Sequence, residues 1–316
     1  MAATACSITR FVKGSPVDLR NSKGKAMSNG NNSRPPSFTL TPTEVGMRAA
    51  ALCLCFLVLQ ISVLPQARAA ELVTITSKLQ IKQQTLQPPA STPTAFVSVV
   101  LLAGGDGVLA LDPQGLVTKL QGNFLVRSAY RFLSAGVNVA LLDAPGSLSG
   151  IRSSEDHALY VASAVAGVRA HWPKTRVWLL GTSSGTVSAF NLAARAAKNA
   201  PAPMTPFADL PDGVVLTSPI VQGGGETVLG TTPSFQTAQL KMPVVVISHA
   251  LDPCTASDPT LAAKFVASLI SPLGKKFLAV KGALPAAAQS PCDAFSYHGF
   301  HGVEDAVIKT IVASIK

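Results

Sequence analysis

The chain has 316 residues, 47% of them hydrophobic, and a formal net charge of +10 at pH 7, which allows one large domain or two small ones. Much of the charge sits at the front: residues 1–69 hold eight Lys/Arg and two Asp/Glu, whereas 70–316 hold 18 and 14. No basic run with interleaved aromatics occurs after residue 69, which argues against a nucleic-acid partner.

Residues 1–46 are polar, rich in Ser, Asn and Pro, and unpatterned. They read as a disordered N-terminal extension, or as the product of an upstream start with translation beginning at Met47. From there the chain has the layout of a secretory signal peptide over 47–69: Met47-Arg48, an apolar run over 49–64, then Ala67 and Ala69 as an A-x-A site. Cleavage after Ala69 would deliver 70–316 to the periplasm or the medium. The apolar run is short for a spanning helix, so the expected membrane contact is limited to this segment if it stays uncleaved. Three of the five cysteines (Cys6, Cys53, Cys55) precede the cleavage point. Cys254 and Cys292 remain, and in an exported protein they read as a disulfide. Neither has metal-ligand spacing with histidine, so no metal is expected.

After Ala69, residues 71–82 alternate loosely, as in an edge strand. A Pro-rich connection follows (Pro88, Pro89, Pro93). Apolar runs without alternation then recur at 96–102, 137–142, 176–180, 214–217, 244–248 and 277–280. Such runs read as strands of a parallel sheet buried on both faces. Helical patterns at 123–133, 155–171, 184–198, 259–270 and 303–315 separate most of them. The alternation predicts a doubly wound, mostly parallel α/β fold for 70–316. Residues 200–211 and 222–226 read as loops, and no insertion is long enough for a lid domain.

Ligands of such sheets bind at the carboxyl ends of the strands, so the loops there carry the chemistry. The first is Ala103-Gly104-Gly105-Asp106-Gly107, which lacks the spacing of a phosphate-binding loop. Next, Gly181-Thr182-Ser183-Ser184-Gly185 is a G-x-S-x-G pattern between a strand and a helix. In that context the serine hydroxyl is pushed out of a sharp turn, and the helix start offers unpaired N–H groups. Asp252 follows the strand at 244–248, and His298 follows the last strand. Serine is a poor nucleophile unless a base takes its proton. Imidazole serves near neutral pH, and a carboxylate fixes its tautomer. Beside such a serine the glycine loop reads as half of an oxyanion hole, with the N–H of Gly105 or Asp106 acting with that of Ser184.

In this order of Ser183, Asp252 and His298, and over nearly all of 70–316, the chain resembles the α/β-hydrolase superfamily. It looks most like an exported bacterial branch that carries similar stretches: GGDG, GNFLVRS (122–128), DAPG (143–146), the GTSSGT elbow, DPC, and an HGF segment ending near Glu304. The resemblance implies Ser183 as nucleophile, Asp252 as acid and His298 as base, with no cofactor and no particular substrate. His301 is the rival base, and Asp258 and Asp143 are rival acids; Asp258 also suits a helix N-cap before Pro259. His157 and His171 read as structural, and His249, at a strand end beside the acid loop, as structural or pocket-lining. A Cys254–Cys292 bridge would join the acid loop to the base loop.

The expected function is hydrolysis of a small-molecule acyl compound, a carboxylic ester first. The alternatives are a peptidase or amidase on the same fold, and a non-catalytic binding protein that retains it.

Overall fold

A computed structural model describes residues 71–76, 80–86, 95–198, 210–223, 229, 240–282 and 290–316. The signal-like segment 47–69, the extension 1–46 and the Pro-rich connection lie outside the described residues, as do most of 200–211 and part of 222–226. The described chain forms eight strands: β1 (Glu71–Thr76), β2 (Gln80–Leu86), β3 (Val97–Leu102), β4 (Asn138–Leu142), β5 (Arg176–Thr182), β6 (Gly213–Thr217), β7 (Val244–His249) and β8 (Lys275–Val280). Six helices accompany them: α1 (Phe124–Arg127), α2 (Ala129–Ser134), α3 (Glu155–His171), α4 (Gly185–Lys198), α5 (Pro259–Ser268) and α6 (Glu304–Ile315).

The strands form one sheet in the order β1-β2-β4-β3-β5-β6-β7-β8. From β4 to β8 every pairing is parallel; β1 pairs antiparallel with β2, and β2 antiparallel with β4. The central strands are mostly apolar on both sides because alternate residues feed opposite, covered faces. Val100, Leu179, Leu216 and Val246 join the core beneath α3, α4 and α5. Val99, Leu101, Leu180, Val215 and Ile247 join the core beneath α1, α2 and α6. The sandwich is the doubly wound, mostly parallel arrangement expected, and the described residues include no lid domain.

Three expectations are corrected. The loose alternation at 71–82 belongs to two strands of a hairpin, not to one edge strand. The pattern at 123–133 is two short helices, broken at Ser128, which closes α1 through its N–H to Phe124 O and opens α2. The last strand is not buried on both faces: β8 is an edge, and Lys275, Lys276 and Ala279 are exposed.

Candidate active site

The elbow between β5 and α4 is dictated by close contact. A Cβ at Gly181 would lie 2.4 Å from Gly185 O, and one at Gly185 would lie 2.1 Å from Leu102 O. Only glycines let the turn fold this tightly against the end of β3. Between them Ser183 takes φ = 51°, a left-handed backbone that a residue with a Cβ rarely adopts. Its surroundings hold it there. Ser183 N–H donates to Thr217 O at 3.0 Å, while Ser183 O accepts from Thr186 N–H at 2.9 Å and Thr186 Oγ1 at 2.6 Å.

Asp252 and His298 meet across 46 residues of chain. His298 Nδ1 lies 3.0 Å from Asp252 Oδ2, with both side chains almost wholly buried. The other carboxylate oxygen of Asp252 accepts the Cys254 N–H at 2.9 Å. An ionised carboxylate only accepts, so in the neutral imidazole this pairing favours the tautomer with its proton on Nδ1 and Nε2 bare. Nε2 is buried and has no hydrogen-bond partner among the described residues. The His298 backbone is fixed as well: its N–H donates to Ser296 Oγ, and its carbonyl accepts from Ser218 Oγ at 2.7 Å.

Ser183 and His298 line one cavity of about 200 Å³, with Gly105, Asn123, Leu120 and Phe124 on its other walls. Of the two expected loop donors, Gly105 lines this cavity; Asp106 turns its carboxylate onto the Val108 N–H. Among the described residues, no partner occupies the N–H of Gly105, Asp106 or Ser184. Cys254 and Cys292 are bonded, as the sequence predicts, and Cys292 also lines the cavity.

The rival residues have other tasks. Asp143 accepts the N–H groups of Leu109, Ala110 and Leu111, so both of its oxygens are engaged in shaping the loop after β3. Asp258 caps α5 by accepting from Thr260 and Leu261 N–H. His301 sits edge-on to Phe295, with Nδ1 4.0 Å from Glu304, and does not reach Asp252. His249 uses both ring nitrogens, on Gly282 O and Leu251 N–H, and stacks on Tyr297 at 4.5 Å. His171 packs edge-on against Trp172.

Two arginines that the sequence reading did not single out brace the site. Arg127 donates to Glu304 Oε1 through Nε and Nη2, to Gly122 O at 2.6 Å and to Gly299 O at 2.5 Å. It thereby ties the GNFLVRS stretch to the residue after His298. Burial alone would raise the Glu304 carboxyl, but its own N–H and Arg127 outweigh this and hold it below its usual range. Arg152, 1% exposed, runs beneath the glycine loop and donates to Ala103 O, Gly105 O and Ser188 Oγ. Ser188 Oγ also meets His157 Nε2 at 2.8 Å.

Burial, and then the neighbouring Arg152 charge, lower His157 from its usual 6.5 to about 4. The folded protein therefore keeps it neutral while the unfolded chain takes up a proton near pH 6.5. Stability present above that pH is lost as pH falls toward 4, by up to about 3 kcal/mol. Urea unfolding at pH 7 and pH 4.5 should show a larger loss for wild type than for His157→Gln. An equal loss in both would contradict this.

Among the described residues, no group of three or more His, Cys, Asp or Glu is placed to hold a metal ion, and no helix is long and apolar enough to cross a membrane. No protein-family model matches the chain, and no curated protein is similar to it in sequence. Solved structures do resemble it. One is a serine hydrolase without a lid, XC6422 from Xanthomonas campestris: 15% identity, TM-score 0.50, covering 77% of this chain and 95% of that one. Another is esterase 2 of Thermogutta terrifontis, in a form phosphoramylated by tabun: 15% identity, TM-score 0.51, covering 79% and 96%. The fold is that of the α/β-hydrolases. Within an α/β-hydrolase fold, Ser183 lies on the turn after β5, Asp252 on the loop after β7 and His298 on the segment between β8 and α6.

Proposed function

We propose that the protein is a serine hydrolase of acyl compounds, with esters of small carboxylic acids as its substrates. One observation carries this reading. A serine held at φ = 51° on the elbow shares a cavity with a histidine whose other nitrogen is bonded to a buried carboxylate.

In this reading Ser183 Oγ attacks the acyl carbonyl as its proton passes to His298 Nε2, and the carbonyl π electrons move to oxygen. Asp252 stabilises the imidazolium. The N–H of Ser184, with that of Gly105 or Asp106, receives the oxyanion. Collapse breaks the bond to the leaving oxygen, which takes the proton from His298. Water, deprotonated by the same nitrogen, then attacks the acyl-enzyme; collapse releases the acid and restores Ser183.

A cavity of about 200 Å³ suits a short acyl group better than a long chain. Export remains part of the proposal and rests on the layout of 47–69; the disulfide is compatible with it. The experiment is reaction with a fluorophosphonate, as an organophosphate modifies the Thermogutta esterase. A covalent adduct on Ser183 is expected, and none in Ser183→Ala.

A further inference from the structure

The cavity wall carries a polar amide side chain with no task in the mechanism above. Asn123 stands at the N-cap of α1, where its Oδ1 accepts the Leu125 N–H at 3.2 Å. That bond decides the orientation of the amide. The oxygen is turned back onto the helix, so the NH2 group points the other way. Asn123 Nδ2 has no hydrogen-bond partner among the described residues, and the residue lines the same cavity as Ser183 and His298.

Gly104 shows where Nδ2 points. A Cβ built there would meet Ser183 Cβ and Thr182 O at 2.9 Å, and Asn123 Nδ2 at 3.5 Å. The three atoms surround the space that the missing methyl leaves free. Nδ2 and Ser183 Cβ are thus separated by no more than the sum of two of those distances. The oxyanion of a Ser183 adduct lies two bonds beyond Oγ, and a further N–H···O contact adds about 2.9 Å. An amide within that limit lies within reach of the oxyanion.

We infer that the Asn123 side-chain amide is a hydrogen-bond donor to the oxyanion formed when Ser183 attacks, acting beside the backbone N–H groups of the elbow and the glycine loop. The inference rests on the serine hydrolase reading and adds a residue to it. A donor fixed by its own cap bond needs no reorganisation as charge develops, and this is where such donors act on kcat. Gly104 is required at this point, since a Cβ there would press on Ser183 Cβ and Thr182 O at 2.9 Å and border the amide. Gly104 and Asn123, 19 residues apart, thus border the same space beside Ser183.

The test uses Asn123→Asp and Asn123→Ser in the full chain. Both keep an oxygen for the Leu125 N–H, so the cap survives, but neither presents an N–H to the cavity. With p-nitrophenyl acetate each variant should lose about 10²–10³-fold in kcat, the usual effect of removing one oxyanion donor, with KM changed less than threefold. Affinity for a trifluoromethyl ketone, which forms the tetrahedral adduct, should fall by the same factor, while the melting temperature stays at the wild-type value. Variants that keep wild-type kcat, or that raise KM alone, would overturn the role. A wild type that neither hydrolyses esters nor reacts with a fluorophosphonate would instead defeat the hydrolase reading itself.

Discussion

Asp252→Asn is expected to lower kcat about 10⁴-fold on p-nitrophenyl acetate while leaving the near-ultraviolet circular dichroism unchanged. The reason lies in the two oxygens of one carboxylate. Oδ1 takes the Cys254 N–H and Oδ2 takes His298 Nδ1. An asparagine keeps only one acceptor. If that oxygen stays on Cys254 N–H, the amide NH2 faces Nδ1, and Nδ1 must accept instead of donate. The imidazole proton then moves to Nε2, the nitrogen that must be bare to take the proton of Ser183. The volume is preserved and the chemistry is inverted. A variant within tenfold of wild type would assign the acid role elsewhere. Asp143 would be a poor substitute, because its carboxylate is already engaged by three backbone N–H groups.

The second large effect concerns the bridge. Cys254–Cys292 spans a sequence separation of 38 residues. By chain entropy, closing such a loop in the unfolded state stabilises the fold by about 4 kcal/mol. For a domain of this size, Cys254→Ala with Cys292→Ala should lower the melting temperature by roughly 10 °C. Reduction of the wild type should give the same shift. The bridge also leaves the chain two residues after Asp252 and re-enters six before His298. Its loss should therefore reduce kcat at temperatures where the variant remains folded. Identical melting temperatures and kcat for the double variant and the wild type would contradict both effects.

The central strands were legible because burial on both faces writes itself as mostly apolar runs without alternation, and 96–102, 137–142 and 244–248 differ from the observed strands by a residue at most. The edges were less so. The apolar run at 277–280 resembles the interior runs, and the local sign of an edge lies just before it, in the exposed Lys275 and Lys276 that open β8. Ser128 splits a helical pattern without a glycine or proline to mark the break. Within the candidate site, order and type pointed to residues that the structure brings together: Ser183 in its elbow, then an Asp and a His after later strands. Those whose meaning depends on direction were not. Arg152 matters because its guanidinium reaches Ala103 and Gly105 nearly fifty residues earlier in the chain, and a lone arginine before a helix carries no such signal. Asn123 looked like the start of a helix, which it is. Its second task appears only once its oxygen is seen to be occupied and its nitrogen to face the cavity.

Hydrolysis by this protein requires Ser183 to be an activated nucleophile. The most direct measurement is intact and peptide mass spectrometry of the protein after brief exposure to a fluorophosphonate near neutral pH. The predicted result is one adduct per chain on the peptide bearing Ser183, absent from Ser183→Ala and strongly slowed in His298→Ala. A folded wild type that takes up no phosphonate, or takes it up on another residue, would contradict it.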